Sequence, residues 1–240
     1  MSIEAKDDDP TQPTEVGEPL TLLGQTPFAS LFMPTARASE PLELEYYRNR
    51  SLTYGVGYSE KLDLHTNNGG QWVWRRIAFS MKGPQIHADF PAETLHSNDL
   101  NAGYTRPFWN ILGSSADAAP ARQATEDLLF SGEGGKDWHN RLYARVDTSR
   151  VSLHMDRTRH IRGGNADAHR HTFKDWIPIG KNILYDEEEA GEEKTFNVYS
   201  VNSKIGFGDL YIYDYFECNT LDDSYRMNLE CQGVYYWRER

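Results

Sequence analysis

The sequence predicts an all-β protein: one eight-stranded antiparallel jelly roll with long inter-strand loops and one or two short helices. Three observations lead there. Aromatic residues make up 12% of the 240 positions, with 14 Tyr and 6 Trp, and flat or branched side chains suit a pleated, half-buried surface. Several segments alternate apolar and polar residues at period two, as a strand with one buried face does. Turn signals separate them, at Asn67-Asn68-Gly69-Gly70, Gly132-Glu133-Gly134-Gly135, Gly163-Gly164-Asn165 and Glu189-Ala190-Gly191. No β-α alternation and no internal repeat accompanies these strands, which favours a sandwich or jelly roll.

Residues 1–24 read as a disordered acidic tail, because Asp7-Asp8-Asp9 and three prolines leave little apolar surface to offset ordering entropy. Residues 25–240 form the predicted jelly-roll domain. Leu62 and Leu64 oppose Asp63 and His65, and Val151, Leu153 and Met155 oppose Ser152, His154 and Asp156. Leu210, Ile212, Phe216 and Cys218 share a parity with Asp214, and so do Met227, Leu229, Cys231, Gly233, Tyr235 and Trp237. Both cysteines thus fall on core-facing positions, as small apolar groups. Two thiols make no disulfide framework, and their spacing matches no zinc site. Residues 83–120 are rich in Gly, Pro, Asn and Ala and are predicted as a long loop with one short helix. Ala121–Phe130 is predicted as another.

A quarter of the residues are charged and mean hydropathy is negative, so a membrane protein is not expected; no apolar run approaches the roughly 20 residues of a spanning helix. The N-terminus has no apolar signal-peptide core. The formal net charge is −11, which opposes phosphate binding overall. The distribution is uneven. Acids gather in the first twenty residues and in Asp186, Glu187, Glu188, Glu189, Glu192 and Glu193, a run expected as a solvated loop. From Arg141 to Asp175 eight basic residues face four acids.

Motifs for catalysis are missing, and the expectation is a protein with no catalytic residue, cofactor or bound metal. Gly135-Lys136 and Gly180-Lys181 lack the following Ser/Thr of a phosphate-binding loop. Gly206-Phe207-Gly208 is a tight turn that needs glycine, not a nucleotide site. His169-Arg170-His171 places two imidazoles on one strand face, a spacing that suits metal chelation. With Gly163 before and Asp175 after, it resembles half of a cupin motif, so a cupin-like metalloprotein using His169 and His171 is the alternative reading; no later histidine completes it. Arg157, Arg159 and Arg162 have two readings: contacts to DNA phosphates, for which guanidinium is well shaped, or ion pairs with acids. Arg170 belongs to the same basic stretch. Trp72, Trp74, Arg75 and Arg76 interleave aromatic and basic residues, a pattern compatible with base stacking, although the aromatics fit a core or an interface better.

Several segments carry a resemblance. They are Thr26-Pro27-Phe28, Trp72-Val73-Trp74-Arg75-Arg76-Ile77, Asp137-Trp138 and Ala144-Arg145-Val146-Asp147-Thr148-Ser149-Arg150. Further on come Met155-Asp156-Arg157-Thr158-Arg159, Gly180-Lys181-Asn182-Ile183-Leu184-Tyr185-Asp186, Lys204 to Asp214, and Tyr235-Tyr236-Trp237-Arg238-Glu239. In this order, over roughly residues 25–240, they resemble coat proteins of genomoviruses and, more distantly, of geminiviruses. The resemblance implies a jelly-roll subunit that assembles with itself into a small icosahedral (T=1-type) shell around circular single-stranded DNA, in a fungal or fungus-associated host, with passage through the nucleus. Coat proteins of that family begin with a basic arm. Here the first twenty residues hold at least five acids and one lysine. The arm is therefore absent from this chain, or folded-domain residues such as the 141–174 stretch take over its work.

Overall fold

The computed structural model describes residues 3–4, 17–39, 47–99, 103–163, 168–190, 193–195, 197–220 and 222–239. Eight strands carry the architecture: β1 (Leu20–Leu23), β2 (Phe28–Phe32), β3 (Leu52–Thr66), β4 (Trp72–Met81), β5 (Ser152–Ile161), β6 (His169–Leu184), β7 (Asp209–Cys218) and β8 (Arg226–Glu239). They form two four-stranded sheets, ordered β1-β8-β3-β6 and β2-β7-β4-β5. Every pairing within them is antiparallel. Successive strands change sheet at each step except between β4 and β5. This is the order of a jelly roll, in which Greek-key connections fold a long hairpin over itself. The predicted eight-stranded fold is the observed one.

Alternation places the core where the sequence indicated. Leu62 and Leu64 on β3, Met227 and Leu229 on β8, and Trp72, Trp74, Phe216 and Cys218 on the facing sheet bury one half of the space between the sheets. Tyr58, Ile177, Ile179, Tyr235, Ala78, Leu210 and Ile212 fill the other half. Each of the larger aliphatic side chains contributes on the order of 1.5–3 kcal/mol by leaving water. Val151-Leu153-Met155 departs from the expectation. Val151 is buried, but Leu153 is 38% exposed, because β5 is the outer strand of its sheet and has a neighbour on one side only.

The tail boundary at residue 24 is also corrected. Leu20–Leu23 pairs with β8, and Leu20 and Leu22 are buried against it. Alternation over four residues was hidden by the acidic, proline-containing stretch before it. Ile3–Glu4 of the expected tail is also a strand, pairing in parallel with Arg106–Pro107; residues 1–2 and 5–16 lie outside the described residues, as do Gly164, Asn165 and Gly191 of the predicted turns.

The connection from β4 to β5, residues 82–151, forms an insert. It contains a 3-10 turn at His87–Asp89, short strands at Ser97–Asp99 and Gly103–Pro107 that form a three-stranded sheet with Ile3–Glu4, and helix α1 at Ala118–Leu129. The expected long loop therefore holds two strands, of three and five residues, too short to show a period. The helix starts three residues before the predicted Ala121. Pro120 falls in its first turn, where a missing N–H leaves no hydrogen bond unmade. Ile86, Phe90, Trp109, Ala121, Leu129, Phe130 and Val146 of the insert pack on the outer face of the β2-β7-β4-β5 sheet, against Leu31, Ile77, Phe79, Tyr211 and Tyr213. That sheet is covered on both sides.

The Gly206-Phe207-Gly208 turn behaves as predicted. Both glycines have positive φ, +85° and +88°, and a Cβ on Gly208 would lie 2.4 Å from the Met81 carbonyl oxygen. Gly208→Ala is expected to cost about 2 kcal/mol or more, since a backbone clash adds to the roughly 1 kcal/mol of left-handed strain. Gly135→Ala, with φ +83° but nothing within 4 Å, is expected to cost only the strain. Thermal unfolding of both variants checks the difference.

Candidate nucleic-acid interface

A buried ionic cluster divides the two halves of the inter-sheet core. Arg76 of β4 meets Asp214 of β7 (Nε to Oδ1 2.8 Å), Glu60 of β3 (2.7 Å) and Asp175 of β6 (3.3 Å). Arg106, from the insert, donates to both Glu60 oxygens at 2.6 and 2.7 Å and pairs with Asp214. The Trp74 indole N–H donates to Asp214 at 2.7 Å, and the Tyr58 hydroxyl to Glu60 at 2.8 Å. All five charged side chains of this core are essentially shielded from water. Burial by itself would raise the Glu60 and Asp214 carboxyls. The guanidiniums of Arg106 and Arg76 overcome it and hold both below the usual carboxylate range. All its donors but Arg106 Nε find partners inside it, and the cluster ties the sheets together; both guanidiniums are buried.

Two predicted DNA contacts are corrected by this geometry. Arg76 is completely buried, because its parity on β4 is that of Trp72 and Trp74, which face the opposing sheet. Arg75 points the other way but is only 5% exposed. It forks onto Asp156 (2.7 and 3.0 Å) and donates to the carbonyls of Arg141 and Ala144 at 2.5 and 2.8 Å, pinning the insert to the sheet. Neither can reach a polymer outside.

The other predicted residues lie along the β5–β6 side of the sandwich. Arg159 is 15% exposed; it pairs with Asp175 and sits over the Trp74 and Phe173 rings at 4.5 and 5.1 Å. Arg157 is 61% exposed and lies 3.5 Å from the same carboxylate. Arg162 is exposed, and its carbonyl faces His171 Nε2 at 3.2 Å. Arg170 is exposed and pairs in a fork with Asp63 of β3. His169 and His171 come together, with ring centroids 4.7 Å apart. Among the described residues no His, Cys, Asp or Glu group of three or more is placed to hold a metal ion, and Asp175 is engaged by arginines. In the acidic run, Glu187 forms a buried pair with Arg48 and the backbone of Glu188–Ala190 pairs with Glu193–Thr195 as a hairpin, where a solvated loop was expected. The side chains of 188–193 lie outside the described residues.

Sequence reasoning missed the outer face of the β1-β8-β3-β6 sheet. The insert covers the other sheet, and among the described residues nothing packs over this face. Register across β8, β3 and β6 sets its rows: Asn228–His65–Arg170, Glu230–Asp63–Thr172, Gln232–Lys61–Lys174, Val234–Ser59–Trp176, Tyr236–Gly57–Pro178 and Arg238–Tyr54–Asn182. Trp176, Tyr236 and Val234 are 50%, 47% and 45% exposed. The Trp176 and Tyr236 rings lie 5.8 Å apart. Trp176 lies over Gly57, where a Cβ would come within 2.4 Å of the indole. Five cations (Lys61, Lys174, Arg170, Arg226, Arg238) share the face with two carboxylates (Asp63, Glu230), in a chain of net charge −11. The signal was present in β6, where Arg170, Lys174 and Trp176 share the parity opposite Phe173, Ile177 and Ile179.

No family model and no curated protein matches the chain.

Proposed function

We propose that this chain is a structural coat subunit that assembles with copies of itself into a small icosahedral shell around circular single-stranded DNA, and that it catalyses nothing. The observation that carries the reading is the two-sided jelly roll. One sheet is sheathed by a 70-residue connection (82–151), and the other is basic, aromatic and uncovered by any of the described residues. Such a subunit can present one side to neighbours or solvent and the other to an enclosed polyanion. The ordered resemblance to genomovirus coat proteins points the same way, and so does the investment of buried arginines in holding the sheets together. A fold of this type serves unrelated functions, so the basic, aromatic face bears more weight than the strand order. The compartments that follow are the virion and, during assembly, the host nucleus and cytoplasm.

Negative-stain electron microscopy and absorbance at 260 and 280 nm on the same purified fractions test it. The expected result is uniform round shells with excess 260 nm absorbance. Particles that remain monomers or dimers over a broad range of salt and pH would end the coat reading, and would move attention to metal analysis of His169 and His171.

A further inference from the structure

We propose that Trp176 and Tyr236 form a stacking platform for the unpaired bases of a single strand, with Lys61, Lys174 and Arg238 holding its phosphates. This deepens the coat reading and rests on it for the identity of the strand as DNA. The rings are half exposed on a sheet that none of the described residues covers, a placement that costs free energy in water unless a partner covers them. Their position is built. Gly57 vacates the place beneath the indole, and Tyr236 is its cross-strand neighbour. Cations flank the rings along the strands. Lys61 and Lys174 stand in the row next to Trp176, and Arg238 in the row beyond Tyr236, each step being about 7 Å on one strand face.

That alternation of ring and cation is what a single strand needs. Aromatic side chains stack on any exposed base, while a duplex hides its base planes between neighbours. The excess of cations on this face of an acidic chain selects a polyanion by charge complementarity. A second copy laid face to face would bring the same cations together, and is disfavoured for that reason.

Fluorescence anisotropy of a labelled oligo(dT) and of a matching duplex, titrated with the full chain, provides the test. Oligo(dT) is expected to bind more tightly than duplex. Trp176→Ala with Tyr236→Ala is expected to weaken oligo(dT) binding about tenfold or more, and Trp176→Phe to restore part of it. Lys61→Glu with Lys174→Glu is expected to lower the log–log salt slope by about 1.4, at roughly 0.7 per lost phosphate contact on a single strand. Because these side chains are exposed, thermal unfolding of the variants should match the parent within a few degrees. Equal affinity for duplex would overturn the proposal, as would unchanged oligo(dT) affinity in the aromatic variant, or a change of oligomeric state there in place of affinity. The two readings separate cleanly. Filled shells from the aromatic variant would keep the coat function and remove the platform. Oligo(dT) binding of the expected kind by a chain that never assembles would keep the platform and remove the coat.

Discussion

Arg76→Met is expected to destabilise the protein by about 3–5 kcal/mol, since removing one partner of a buried ionic cluster leaves the others as uncompensated charge. Arg76 contacts Asp214, Glu60 and Asp175 at 2.7–3.3 Å. Without it, Arg106 alone faces Glu60 and Asp214, and Asp175 depends on Arg159 and the exposed Arg157. Urea unfolding should show a lower midpoint with an unchanged slope, and thermal unfolding a drop of roughly 10 °C for a domain of this size. Arg76→Lys keeps the charge but loses the fork and should fall between. A cost under about 1 kcal/mol for Arg76→Met would mean that apolar packing, and not the cluster, holds the sheets. The cluster also gives acid sensitivity with a definite sign. Glu60 and Asp214 titrate below their ordinary range, so their contribution is intact above about pH 4 and is lost as pH falls.

Asp209 predicts the opposite slope. It is the first residue of β7, directly after the Gly208 turn. Its Oδ1 accepts the Ser200 backbone N–H at 2.9 Å, while Oδ2 is buried without a hydrogen-bond partner. The groups that face it are Tyr185, Tyr199, Tyr211, Tyr235 and the side chain of Ser200, and among the described residues no guanidinium pairs with it. Burial pushes its carboxyl up to about 7. A carboxyl whose folded value is raised adds stability in its protonated form. That contribution is complete below about pH 4 and disappears as pH rises through 7. The difference corresponds to roughly 4 kcal/mol. Asp209→Asn keeps an oxygen for the Ser200 N–H and carries no charge. Its melting temperature should therefore stay level from about pH 5 to pH 8, where that of the parent declines. Parallel curves for the two proteins would show that the carboxylate finds compensation when it ionises.

Fold and site were legible to different degrees, for physical reasons. Alternation exposed β3, β7 and β8 because each has one face against core and, for β3 and β8, the other against water. It failed at β5, an edge strand wetted on both faces. The buried cluster left a trace: Asp214 sits among apolar residues of its parity, as do Glu60 on β3 and Asp175 on β6. Three lone carboxylates on inward positions require inward cations, and Arg76 shares the parity of Trp72 and Trp74. Reading Arg75 and Arg76 as a surface pair ignored that neighbours on a strand point apart. Trp176 and Tyr236 were hidden for another reason. Whether an aromatic residue faces core or solvent depends on which sheet faces are covered, and coverage is set by an insert far away in the chain.

Arg106 gives that insert a second consequence. Its guanidinium reaches between the two sheets and completes the charge balance there. The 82–151 segment is therefore no interchangeable module. Trimming it to a short turn, or grafting in a foreign loop without an arginine at the same place, strands Glu60 and Asp214 with half their neutralising charge. Insert and sandwich are bound to melt as one cooperative unit, and slow-exchanging amides in Gly103–Pro107 should be as well protected as those of β4 and β7.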